Sequence, residues 1–208
     1  MKSSLQNLYP FLAGLSLALF STLASAVEMP FEIERLGNFD SPWALEFLPN
    51  GRVLVSEMSG KLKLLDEDGR FLGNVSGMPE VAYGGQGGLG EIALHPSFEK
   101  NNLIYISFAE TGEDDKYGAA IIRARLNLSE DGGSLSSVET IWKQYPKVSG
   151  QGHYGHRITF DEAGYLWISS GERQKFDPAQ DMSSNLGKII RLNDDGSLPL
   201  DPPVFFGE

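Results

Sequence analysis

One strand–turn–strand unit recurs along this 208-residue chain, and it limits the fold more than any other feature. The first copy runs Trp43-Ala44-Leu45-Glu46-Phe47, then Pro49-Asn50-Gly51, then Arg52-Val53-Leu54-Val55-Ser56-Glu57. The second is Glu91-Ile92-Ala93-Leu94-His95-Pro96, a longer polar connection, and Leu103-Ile104-Tyr105-Ile106-Ser107. The third is Arg157-Ile158-Thr159-Phe160-Asp161, Glu162-Ala163-Gly164, and Tyr165-Leu166-Trp167-Ile168-Ser169. A further apolar stretch follows each copy: Lys61–Leu65, Ala120–Leu126 and Lys188–Leu192. Short runs rich in β-branched and aromatic residues, bounded by Gly, Pro, Asn and Asp, read as strands and turns. No segment sustains a helical apolar period, so helices should be few and short.

Repeats at this spacing, each supplying three or four antiparallel strands, are what radially arranged blades look like in sequence. A blade cannot bury both faces of its sheet alone, and a neighbour around the axis covers one of them. A sandwich would use the same alternation, but the recurrence of one nearly constant unit favours blades. At about 40 to 45 residues per blade, the chain after its leader holds some three and a half to four units. The last visible unit has no closing partner, so the chain is read as the N-terminal portion of a longer protein, with a small four-bladed ring as the weaker option.

Residues 1–26 read as a secretory signal. Lys2 gives a positive start, Leu8 to Phe20 form an apolar run interrupted by Pro10 and Gly14, and Ala24-Ser25-Ala26 fits the small-residue cleavage rule. The run is short for a membrane span, and an uncleaved anchor is the weaker alternative. The mature domain would then be residues 27–208, with no other stretch apolar enough to span a bilayer. Removing that leader takes away one Lys and no acid, moving the formal charge from −11 to −12. Such a field repels a phosphate backbone, which argues against nucleic acid as a partner. The absence of Cys excludes a disulfide framework, Cys-ligated zinc, iron–sulfur clusters and a cysteine nucleophile.

Two loops carry more information than packing requires. In Gly84-Gly85-Gln86-Gly87-Gly88-Leu89-Gly90 the glycines let the backbone approach a ligand or adopt positive φ, and Gln86 is left as the hydrogen-bonding side chain. The alternative is a tight corner feeding the next strand; a nucleotide fingerprint is not formed. The second loop, Gly150-Gln151-Gly152-His153-Tyr154-Gly155-His156-Arg157, holds two of the three His. A His at a strand mouth is a reasonable general base, because its ordinary pKa lies near neutrality. Two His three residues apart suggest a metal instead, but no third ligand is evident nearby. His95 is most economically a packed or capping residue. Glu172 ends the strand expected to pair with the one after His153, which places both at one rim, where a carboxylate can orient the imidazole. The alternative is an ion pair of Glu172 with Arg173 or Arg157.

Four stretches, SPWALEFLPNGRVLVSE, GGQGGLGEIALHPSF, GHYGHRITFDEAGYLWISSGER and AQDMSSNLGKIIRLNDDGSLPLDPP, cover nearly all of Phe39 to Pro203. In that order they resemble the soluble, pyrroloquinoline-quinone (PQQ)-dependent glucose and aldose sugar dehydrogenases, exported bacterial proteins. The resemblance implies an all-β, six-bladed β-propeller, of which about three to four blades are present here. It implies a periplasmic or secreted oxidoreductase that converts the anomeric hydroxyl of an aldose sugar to a lactone and passes electrons to an external acceptor. His153 falls at the place of the base that takes the anomeric proton while hydride passes to the quinone. Glu172 falls where those enzymes have an Asp bonded to the base, and Gln86 where they have a Gln touching sugar and cofactor. Gly152 departs from the Asp of the glucose enzymes. The family's G-H-R-N-P-Q-G stretch is not in this chain, so the calcium ligands and most of the cofactor grip are expected beyond residue 208. Two rivals are carried: a non-catalytic propeller that binds a sugar or protein, and a calcium-dependent lactonase. The lactonase needs clustered carboxylates, for which only Glu172 and Asp177 or Asp181 offer themselves.

Overall fold

The repeats fold as successive antiparallel meanders in the computed structural model, which describes residues 30–202. The signal-like segment 1–26 lies outside the described residues. The chain divides after Glu34; residues 30–34 form no helix or strand, and the unit from Arg35 holds every element. Its first meander is β1 (Pro42–Phe47), β2 (Val53–Glu57), β3 (Lys61–Leu65) and β4 (Phe71–Ser76). The second is β5 (Leu89–Leu94), a one-turn helix α1 (Phe98–Asn101), β6 (Leu103–Thr111), β7 (Tyr117–Leu128) and β8 (Gly133–Lys143). The third is β9 (Gly155–Phe160), β10 (Leu166–Ser170), a 3-10 turn (Asp177–Gln180) and β11 (Lys188–Leu192). This is an arc of a β-propeller.

The corners form where the sequence supplies turn chemistry. Gly51, at φ +84°, closes the β1–β2 hairpin through its N–H to the Leu48 carbonyl at 2.9 Å. At the β9–β10 corner, one Asp161 carboxylate oxygen accepts from the Tyr165 N–H (2.9 Å) and the other from the Trp167 indole (2.8 Å). The first two meanders join at their outermost strands, where β4 and β8 run parallel with Val75 opposite Gly133 and Ser76 opposite Ser134. The result is an eight-stranded sheet ordered β1-β2-β3-β4-β8-β7-β6-β5, with β11-β10-β9 as a separate sheet.

The middle meander is covered on both sides, which explains why its strands read as continuous apolar runs instead of alternating ones. Ile104, Ile106 and Phe108 of β6 pack with Leu54, Leu62 and Leu64 of the first meander. Tyr105, between them on the opposite face, packs with Ile158, Leu166 and Ile168 of the third. Buried polar groups tie the same interfaces: Ser56 Oγ donates to the Gly90 carbonyl (2.7 Å), and the Tyr105 hydroxyl to the Asp194 carbonyl (2.8 Å). His95 belongs to this frame, with Nδ1 accepting from the Ser97 N–H (2.9 Å) and its ring stacked on Tyr105. The face of the first meander turned away from the second carries Val53, Val55 and Leu65 beneath Phe39, with Leu45, Phe47 and Phe71 exposed beside them.

Candidate active site

The two glycine-rich loops pack on one another. The Gln86 N–H donates to the Gln151 carbonyl at 2.7 Å. Gly85 sits at φ +58°, and a Cβ there would lie 2.6 Å from the Gln151 carbonyl oxygen. The glycines therefore serve close approach of loop to loop, and the side chain they leave on display is Gln86. Its Oε1 accepts the His153 N–H at 2.8 Å, which orients the amide and leaves the two Nε2 hydrogens for a ligand.

Strand register brings His153 and Glu172 together. In the β9–β10 pair Ser170 lies opposite Gly155, so the residues just before β9 and just after β10 meet at one rim. Gly171 makes that meeting sterically feasible, because a Cβ there would fall 1.9 Å from the His153 carbonyl oxygen. His153 adopts φ +48°, its side chain is 46% exposed, and its Nδ1 hydrogen-bonds Glu172 Oε1. A carboxylate can only accept, so Nδ1 carries the hydrogen of this bond, and in the neutral form of the ring Nε2 is then the acceptor. Glu172 Oε2 accepts the Lys175 N–H at 2.9 Å. The hydrogen bond from His153, helped by the Lys175 and Phe176 amides against a weaker effect of burial, holds the Glu172 carboxyl below its ordinary pKa. The carboxylate is thus ionised at neutral pH and holds the imidazole by Nδ1.

Neither ion pair offered as an alternative for Glu172 forms. Arg157 instead pairs with Glu91 across the β5–β9 contact. Arg173 turns inward and is 1% exposed. Its Nε donates to the Gly152 carbonyl (2.8 Å), and its two terminal nitrogens donate to the carbonyls of Tyr117 and Gly150 (both 2.5 Å). Its guanidinium lies 3.7 Å from the Tyr154 ring centroid, and its own N–H donates to the His153 carbonyl at 3.2 Å. No sequence signal separates this buried clamp from a surface cation; a charged residue directly after a strand end is all that is visible.

His156 does not share a site with His153. It is buried between Tyr154 and Trp43, with ring centroids 5.4 and 5.9 Å away, and its Nδ1 has no hydrogen-bond partner among the described residues. Burial, and then the nearby Arg173 charge, push its pKa down to about 4. A group protonated more readily when unfolded removes stability as pH falls through the window between its two pKa values. Stability should therefore decline by roughly 3 kcal/mol on acidification from its unfolded value near pH 6.5 to about 4. Thermal melts across that range check this, and His156→Gln should flatten the His-dependent part of the slope. Among the described residues no three of His, Asp and Glu gather to hold a metal ion. Asp181 instead accepts from the Ser183 N–H (2.9 Å) and hydroxyl (2.7 Å), so Glu172, Asp177 and Asp181 do not build the carboxylate cluster a lactonase would need.

An imidazole–carboxylate pair and an exposed amide thus share one rim of this propeller arc. The chain belongs to the glucose/sorbosone dehydrogenase family, whose model matches residues 39–207. It is 39% identical over 165 residues to the aldose sugar dehydrogenase YliI of Escherichia coli K12, covering 79% of this chain and 44% of that protein. It is 28% identical over 198 residues to quinoprotein glucose dehydrogenase B of Acinetobacter calcoaceticus, covering 83% and 41%. The apo crystal structure of the soluble E. coli aldose sugar dehydrogenase superposes with a TM-score of 0.74 at 39% identity, covering 79% and 47%. A PQQ-bound aldose sugar dehydrogenase from Streptomyces coelicolor superposes at 0.69 with 31% identity, covering 80% and 48%. The chain thus spans less than half the length of these relatives.

Proposed function

We propose that this chain supplies the acid–base rim of an exported, PQQ-dependent aldose sugar dehydrogenase that oxidises the anomeric hydroxyl to a lactone. The observation that carries the reading is the His153–Glu172 hydrogen bond, which engages Nδ1 and leaves Nε2 of the half-exposed imidazole without a protein partner among the described residues, at the rim that also presents the Gln86 amide. His153 Nε2 takes the anomeric proton, and Glu172 stabilises the imidazolium that forms. PQQ, when bound, supplies the acceptor for the hydride leaving the anomeric carbon. The Gln86 Nε2 hydrogens suit a quinone oxygen or carboxylate, so Gln86 is the residue of this chain that would hold the cofactor. Calcium finds no carboxylate cage among the described residues, and no step is assigned to it. Among those residues no helix is long and apolar enough to cross a membrane. A periplasmic or secreted destination rests on residues 1–26, and the electron acceptor is an external one.

The full-length protein, purified and reconstituted with PQQ and Ca²⁺, should reduce an artificial dye when an aldose is added. Sugar binding with no change in quinone absorbance would favour the non-catalytic propeller. Lactone hydrolysis without quinone would favour the hydrolase.

A further inference from the structure

The turn after Glu172 is built in a way the dyad alone does not require. Arg173 and Gln174 are consecutive left-handed residues, at φ +61° and +59°, and neither is glycine. Side chains avoid this region, so two in a row persist only where the surroundings impose them. Arg173 is the anchor, clamped into the 150–152 backbone from below. From above, the exposed Gln174 side chain folds over Gly152. A Cβ built on Gly152 would lie 2.5 Å from both Cδ and Oε1 of Gln174 and 2.9 Å from its Nε2. The space that a side chain at position 152 would fill, directly before the base, is therefore occupied by the carboxamide of residue 174. Neighbouring groups are bonded elsewhere: Glu172 to His153 and to the Lys175 N–H, and the Gly152 carbonyl to Arg173.

We propose that Gln174 is a specificity-determining residue, its carboxamide binding the sugar hydroxyl on the carbon next to the anomeric centre. The inference rests on the dehydrogenase reading above. A sugar whose anomeric hydroxyl meets His153 Nε2 presents its adjacent hydroxyl to whatever lies beside the base, and here that is an amide with both donor and acceptor ends. Gly152 is part of the device, because only a residue without Cβ leaves this space to Gln174.

The experiment compares an aldose with its 2-deoxy analogue in the full-length protein loaded with PQQ and Ca²⁺, using the parent, Gln174→Ala and Gly152→Ala. Gln174 is exposed, so its truncation leaves the core intact. Gln174→Ala should lower kcat/KM for the aldose by about 5- to 15-fold, mainly through KM, and for the 2-deoxy sugar by less than about twofold. Gly152→Ala, whose methyl group displaces the carboxamide, should give the same pattern, and the double variant little more than either single one. An active parent whose Gln174→Ala variant loses nothing, or loses equally on both sugars, would overturn this inference while leaving the dehydrogenase reading standing. A parent that turns over no aldose would overturn both.

Discussion

Replacing His153 by alanine should lower turnover of the reconstituted protein by about two to four orders of magnitude while the protein stays folded. The imidazole is 46% exposed, so its loss opens no cavity. On the proposed mechanism, what disappears is the acceptor for the anomeric proton, and with it the charge that Glu172 would stabilise. Glu172→Gln should produce a smaller loss, because an amide can still hold the ring but cannot stabilise imidazolium as a carboxylate does. Steady-state dye reduction at saturating aldose gives both values, with circular dichroism confirming the fold. Turnover like that of the parent in His153→Ala would remove it as the base.

Arg173→Met should melt about 5–15 °C below the parent and lose about 100-fold in turnover even at temperatures where it is folded. Two opposing effects decide the size. A guanidinium 1% exposed, whose pKa burial pushes down, costs free energy to bury, and a thioether removes that cost. Against this, the carbonyls of Gly150, Gly152 and Tyr117 lose their donors, at about 1–3 kcal/mol for each that stays buried, and the stacking on Tyr154 is lost. Unsatisfied carbonyls win, giving a net loss of about 2–4 kcal/mol. The turnover loss has a separate origin, since the same bonds hold the backbone that sets His153 at φ +48°. Arg173→Lys keeps the charge but not the fork, and should recover little of either property. A melting temperature matching the parent would show that the loop holds its shape unaided.

Much of the fold was legible because apolar strands and tight turns are local signals. Lys61–Leu65 and Lys188–Leu192 read from sequence are β3 and β11 to the residue. The strands that escaped notice are β4 and β8, the outermost of their meanders. β4 is interrupted by Gly73 and Asn74, and β8 is exposed along most of its length, so neither shows the apolar pattern that burial imposes. At the site, the meeting of His153 with Glu172 followed from strand pairing, a long-range consequence of a local pattern. Gln86 was visible as the one polar side chain among glycines, although those glycines turn out to accommodate Gln151 and other protein groups. Arg173 was not legible, because Glu-Arg in a sequence suggests an ion pair, while here Glu172 bonds His153 and Arg173 is buried on the backbone carbonyls of Tyr117, Gly150 and Gly152. Which of them goes inward is decided by free carbonyls on a distant loop, and sequence spacing carries no record of those.

The separation of the two sheets has a mechanical consequence. Gln86 leads into β5 of the eight-stranded sheet, whereas His153 and Glu172 flank β9 and β10 of the smaller one. No strand ladder crosses between the sheets; single bonds do, such as Gln144 Nε2 to Ser170 Oγ at 2.9 Å. A slight shear along that seam would stretch the Gln86–His153 contact while the imidazole and its carboxylate stayed together on the β9–β10 side. On the proposed reading, grip on the coenzyme and removal of the proton would then be geared separately, and either could be retuned without resetting the other.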